Sequence, residues 1–260
     1  MIVRTPQERE GIIEAGRRLG VVLFEVSKIV APGVSVRELD ALAERLIVEA
    51  GDTPAFKGYT PEGAPRKYPA TLCVSVNDEV VHGIPNEKER ILKEGDIVAL
   101  DLGLVHKGFF VDSALTVPVG KVDKKSHDLM NATKQSLEDA IKAARPGARV
   151  GDISYATERA FKDTGFAVVK MLGGHGVGRA VHEEPFIANA GHPGTGPEIV
   201  KNMVLAIEPI ANMGKASVII DNDGYTYRTR DGSRSAHFEH TILIEEGETL
   251  VVTRRPGEVF

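Results

Sequence analysis

The chain has 260 residues, a formal net charge of −5 and one cysteine, Cys73. That length suffices for one large core or two modest ones. The acidic balance and the lack of a basic stretch argue against nucleic acid and anionic membranes as partners. A lone cysteine excludes an intramolecular disulfide and fits a reducing compartment. The opening Met1-Ile2-Val3-Arg4-Thr5-Pro6 has no apolar signal core, and no later run is long enough to span a bilayer. The expectation is a soluble, cytoplasmic protein.

Thr5-Pro6-Gln7-Glu8 reads as a capping box with proline at the first helical position. Apolar positions from Ile12 to Val26 continue that helix until Pro32-Gly33. Ser35-Val36-Arg37-Glu38 is a second capping box, opening a helix to about Gly51. Strands are expected over Thr71 to Val76, Ile97 to Leu104 and Phe109 to Val119. Helices follow from near Asp123 to Ala144 and from Asp152 to Thr164, the second closed by Gly165. The remaining strands are expected over Val168 to Met171, Met203 to Ile210, Ser217 to Ile220, Tyr225 to Arg230, Phe238 to Ile244 and Leu250 to Val252. Asp221-Asn222-Asp223-Gly224 reads as a hairpin turn.

The order helix pair, strands, helix pair, strands suggests an internal repeat. Pro32-Gly33 to Gly51 aligns without gaps on Pro146-Gly147 to Gly165. Val36, Glu44 and Arg45 match Val150, Glu158 and Arg159. Val98-Ala99-Leu100-Asp101 resembles Leu205-Ala206-Ile207-Glu208, and Val111-Asp112-Ser113 resembles Phe238-Glu239-His240. The chain is therefore expected to be one domain, 1–260, with halves of about 1–120 and 121–260.

Asp101 stands in an otherwise apolar strand. A carboxylate there is costly unless it is paired, protonated or metal-bound. Glu208 repeats the pattern, and a buried salt bridge is the competing reading for each. A two-residue loop at His106-Lys107 would set Asp101 directly opposite Asp112, about 4.5–5.5 Å apart at Cβ. Like charges so placed invite a cation. His175 lies in Gly173-Gly174-His175-Gly176-Val177-Gly178, where glycines bring backbone close and are expected to expose the imidazole. A phosphate loop is the alternative, but the Walker lysine is missing. With Glu239, these residues give four carboxylates and one imidazole. That set suits manganese or iron(II), with cobalt as a substitute and zinc left open. Four carboxylates exceed the need of one divalent ion, so two cations are expected. His106, His127, His192, His237 and His240 show no spacing that points to a role, and are read as surface or core hydrogen-bonding residues.

Taken together, Val81-His82-Gly83-Ile84-Pro85, Leu100-Asp101-Leu102-Gly103, Asp112, Gly174-His175-Gly176-Val177-Gly178-Arg179, His182-Glu183-Glu184-Pro185, Ile207-Glu208-Pro209 and Phe238-Glu239-His240-Thr241 resemble the type I methionine aminopeptidases, in their bacterial form. The resemblance covers nearly the whole chain. It implies the pita-bread fold, an α/β structure of two pseudo-twofold halves around a dinuclear centre. By resemblance, Asp101 holds one metal, His175 and Glu208 the other, and Asp112 and Glu239 bridge both. His82 and His182 contact the substrate, and Glu208 carries a proton to the leaving amine. Tyr59, Tyr68 and Cys73 line the methionine pocket by resemblance, and Tyr225 is read as part of its cover. The implied reaction removes N-terminal methionine from nascent polypeptides. A monomer is expected, and the ribosome stands open as a partner.

Three features depart from the family pattern. Thr60 to Lys67 reads as an insertion beside the pocket, Thr71 replaces a more usual serine, and Val181 is smaller than the aromatic of some relatives. Two other functions remain in view. A proline-specific peptidase shares Asp101-Leu102-Gly103 but usually carries a large extra N-terminal domain. A non-catalytic relative would typically have lost metal ligands, and all five are present.

Overall fold

The computed structural model describes residues 1–61 and 63–259. Helix α1 (Pro6–Lys28) begins at the expected cap, with Glu8 N donating to Thr5 Oγ1 at 3.2 Å. The return bond differs from a capping box: the Glu8 carboxylate accepts from Arg4 N, not from Thr5 N. In α2 (Val36–Glu49) both bonds of the box form between Ser35 and Glu38. Gly51 follows its C-cap at a φ of 78°, a left-handed position that suits glycine. Then come β1 (Thr53–Pro54), β2 (Leu72–Val76), β3 (Glu79–Val81), β4 (Ile97–His106) and β5 (Phe109–Pro118).

The second helix pair is α3 (Lys124–Ala143) and α4 (Val150–Arg159). Helix α4 is shorter than expected and shifted toward its start. Asp152 is not its first residue but its third, where its carboxylate accepts from Arg149 N at 2.7 Å. Beyond Arg159 the chain tightens: Phe161, Lys162 and Thr164 each donate three residues back, and Asp163 takes a positive φ. The rest is β6 (Ala167–Val168), β7 (Gly173–Gly176), β8 (Glu183–Ala188), β9 (Val204–Ile207), β10 (Ile210–Asn212), β11 (Val218–Ile220), β12 (Tyr227–Thr229), β13 (Ser235–His237), β14 (Glu239–Leu243) and β15 (Leu250–Val251). The expected strand from Met203 to Ile210 is thus two strands broken at Glu208-Pro209, where proline cannot donate to a ladder. Asp221 to Gly224 does lie in the turn between the paired strands β11 and β12.

The main sheet runs β1-β4-β5-β14-β9-β7-β8, with β2 also on β4 and β15 on β14. Every pairing in it is antiparallel. Leu19, Leu23 and Leu39 of the first helix pair join Leu100 and Leu102 in one core. Leu129, Leu137 and Ile153 of the second pair join Leu205 and Ile242 in another. Burial of these side chains, worth about 1.5–3 kcal/mol each, holds both helix pairs against the sheet.

Candidate metal centre

The strand order sets the site. The two central strands, β5 and β14, carry Asp112 and Glu239, while Asp101 lies on β4 and Glu208 directly follows β9. Across the sheet, Cys73, Asp101, Ala114 and Glu239 stand opposite one another in a single row. Two residues along each strand, and so on the same face, Asp112 pairs with Gly103, and His175 pairs with Ala206. Ala114, a small residue, is the one that separates Asp101 from Glu239 in this row.

The expected direct pairing of Asp101 with Asp112 is not formed: Asp101 faces Ala114. The turn is Lys107-Gly108, both at positive φ, rather than His106-Lys107. Two successive left-handed residues match the twist of a hairpin, and Lys107-Gly108 supplies the glycine for it. The loop moves by one residue, the facing register shifts by two, and both aspartates stay on one face. Asp112 still lies near enough for its charge to help raise Asp101.

His175 is not exposed as its glycine-rich surroundings suggested; it is 8% accessible and lies in β7. The glycines serve the close approach instead. A Cβ at Gly174 would lie 2.2 Å from Ala206 O, and one at Gly176 would lie 2.2 Å from Glu184 O. Only glycine lets β7 press between β9 and β8. His175 Nδ1 lies 2.9 Å from Gly176 O, and its Nε2 faces Glu208 Oε1 at 3.6 Å.

Asp101 Oδ1, Asp112 Oδ1 and Glu239 Oε1 are buried without a hydrogen-bond partner. Burial first, and neighbouring carboxylates second, push Asp101, Glu208 and Glu239 well above the usual carboxylate range. Burial also raises Asp112. Among the described residues, no lysine or arginine lines this cavity to offset them. Potential ligand atoms of Asp112, His175 and Glu239 lie within 4.8 Å of one another. Buried orphan oxygens with an imidazole lone pair are the donor set that a divalent cation satisfies, so the residues fit such an ion.

His82, His182, Tyr59, Tyr68, Cys73 and Tyr225 line the same cavity, and so do Phe56, Pro61 and His237. Tyr59 Oη lies 2.9 Å from His182 Nδ1, and the His182 ring stands edge-on to His175 at 4.5 Å. Burial pulls His82 down to about 4 and His175 to about 3, and lowers His182 too, so all three are neutral near pH 7. Burial raises the Cys73 thiol, which argues against a thiolate nucleophile. The Thr60 to Lys67 segment reaches the cavity through Pro61; Glu62 within it lies outside the described residues. Arg66 O accepts from the Tyr225 hydroxyl, and the Arg66 guanidinium pairs with Glu87 and with Asp223 O.

The spacing argument did not single out His237. It stands two residues before Glu239, and that alternation is the signal that could have found it. A family model described as metallopeptidase family M24 matches residues 10–246. The chain belongs to metallopeptidase family M24. Within M24, it is 43% identical over 249 residues to the methionine aminopeptidase of Aquifex aeolicus, covering 95% of this chain and 96% of that one. It is 42% identical over 254 residues to methionine aminopeptidase 1 of Bacillus subtilis, covering 98% and 99%. The crystal structure of methionine aminopeptidase from Thermotoga maritima superimposes with a TM-score of 0.92 at 43% identity, covering 98% of this chain and all of that one. Prolidase from Pyrococcus furiosus, at 21% identity and a TM-score of 0.73, shares the fold. The expected pita-bread α/β fold is the observed one, and this M24 member is a metal-dependent hydrolase.

Proposed function

We propose that the chain is a methionine aminopeptidase that removes the N-terminal methionine of nascent polypeptides, with 1–260 acting as one catalytic domain. What carries this reading is two openings that meet at the carboxylates. One is small and aromatic, lined by Tyr59 and the buried Phe56, Tyr68, Cys73 and Tyr225. The other is a larger groove bounded by Met171, Glu184 and Phe186. His82, His175, His182 and Glu208 line both. The small aromatic end suits one unbranched side chain with a thioether against aromatic edges. The larger groove suits the chain beyond the first peptide bond.

In this reading Asp101, Asp112, His175, Glu208 and Glu239 hold two divalent cations, with manganese, iron(II) or cobalt preferred to zinc. When bound, these supply Lewis acidity and a water acidic enough to act as nucleophile at neutral pH. Asp112 and Glu239, on the central strands, are placed to serve both ions. The Tyr59 hydroxyl donates to His182 Nδ1, which leaves the His182 proton on Nε2 to meet the substrate carbonyl. His82 is neutral and able to bond the peptide nitrogen. Glu208, with 14% of its side chain accessible at the cleft, carries the proton to the leaving amine. A cytoplasmic monomer acting on chains as they emerge from the ribosome fits this role. Among the described residues, no helix is long and apolar enough to cross a membrane.

The test is to incubate metal-free protein with a Met-Ala-Ser peptide and an Ala-Pro-Ser peptide, with and without manganese, iron(II) or cobalt. Release of methionine restored by a metal is the expected result. Cleavage only before proline would shift the reading to a proline-specific peptidase. No turnover with any metal would refute the assignment.

A further inference from the structure

Glu208 lacks the anchoring that the other three carboxylates enjoy. Asp101, Asp112 and Glu239 sit inside paired strands, whereas Glu208 comes one residue after β9 ends and just before Pro209. Its backbone carbonyl accepts from Asn189 Nδ2 at 3.0 Å. Its carboxylate stands between two histidines: Oε1 lies 3.6 Å from His175 Nε2, and Oε2 lies 3.8 Å from His237 Nε2. His237 Nε2 is also 3.8 Å from Glu239 Oε2.

His237 is 2% accessible, and neither of its ring nitrogens has a hydrogen-bond partner. Thr116 Oγ1 fixes its backbone on both sides, accepting from His237 N at 2.9 Å and donating to His237 O at 2.8 Å. The backbone is therefore held in place, and the imidazole Nε2 faces two carboxylates. We infer that His237 is a positioning residue of the cation site, a shared Nε2–H donor that sets the orientation of Glu208 against Glu239. This rests on the two-cation reading above.

The comparison with His175 separates a donor from a ligand. A metal-binding histidine nearly always donates its second N–H to a carbonyl or carboxylate, which frees the other nitrogen's lone pair for the ion. His175 has that arrangement through Gly176 O. His237 Nδ1 has no such acceptor. A neutral imidazole has one N–H and one lone pair, and the two carboxylates facing His237 Nε2 favour the proton there. His237 thus supports the ligand set without joining it.

Calorimetric titration of the metal-free protein with manganese tests this on the unsubstituted chain, His237→Phe and His237→Gln. His237→Phe should keep the melting temperature of the metal-free protein yet weaken the second manganese equivalent by about 10–100-fold, the usual effect of losing an outer hydrogen bond. His237→Gln, which keeps an N–H donor, should recover most of that loss. Pulsed electron paramagnetic resonance on manganese-loaded protein with ¹⁵N-histidine should detect one coordinated imidazole. Unchanged binding by His237→Phe, no recovery by His237→Gln, or two coordinated imidazoles would each overturn the proposal. Absence of any manganese binding by the unsubstituted chain would instead overturn the site assignment, and this inference with it.

Discussion

The two halves of the proposed cation site are built by different means. Asp101 and Asp112 come from one hairpin, β4 and β5, joined by two turn residues and paired along its whole length. Glu208 follows β9 and Glu239 opens β14, strands distant in the chain, and His175 arrives on a third strand. The first half is local and rigid. The second assembles only when several strands have met, and its carboxylates sit on the longer glutamate side chains. One half can be formed by its own ladder, whereas the other depends on glycine contacts and outer donors.

The largest effect should come from the strands where the halves join. Asp112→Asn or Glu239→Gln should abolish binding of both cations and cut turnover by more than about 1,000-fold, as expected when charge stabilisation at the reacting centre is lost. Asp101→Asn should keep partial binding of one ion. Metal analysis after dialysis checks this, and equal loss in all three variants would contradict the central placement of Asp112 and Glu239. Next comes Ala114→Val, which puts methyl groups between Asp101 and Glu239. Overpacking there should cost about 1–3 kcal/mol in the metal-free protein and should also reduce manganese stoichiometry. Binding unchanged by this substitution would mean that the space beside Ala114 is not the cation space.

Much of the first half could be read directly. The caps at Thr5 and Ser35 are encoded within four residues, and Asp101 is conspicuous as the lone carboxylate in an apolar strand. The facing register is ambiguous in the sequence because His106-Lys107 and Lys107-Gly108 both make two-residue turns, and only the left-handed pair fits the strand twist. The second half was harder. Strand β7 carries three glycines and no β-branched residue, so its strand character comes from the backbones pressed against it and not from propensity. The sequence reads His237 as a core hydrogen-bonding histidine, whereas its Nε2 stands 3.8 Å from the carboxylates of both Glu208 and Glu239. Its role depends on Glu208, which only long-range pairing brings near.

A smaller effect concerns pH. Asp101, Glu208 and Glu239 have raised pKa values in the metal-free fold, from burial first and repulsion second. The native state then binds protons that the unfolded chain has released, so stability falls as pH rises above the ordinary carboxylate range. Burial raises Asp112 as well, to about 7, so the metal-free melting temperature should drop between about pH 6 and pH 8, and manganese should remove or reverse the slope because it binds the deprotonated carboxylates. A metal-free melting temperature that rises over that range would contradict the buried, unpaired state of these groups. Smallest of all, Tyr59→Phe removes the hydroxyl that bonds His182 Nδ1 and leaves every cation ligand intact. Turnover should fall by about 2–10-fold, the worth of one hydrogen bond, with manganese affinity unchanged. A parallel loss of metal would place Tyr59 in the cation half instead.

If both halves build one shared centre, manganese stoichiometry measures it directly. Titrating the metal-free protein while following methionine release should show two equivalents bound in the unsubstituted chain, at most one in Asp101→Asn and none in Glu239→Gln. Two equivalents retained by Glu239→Gln with full methionine release would contradict it.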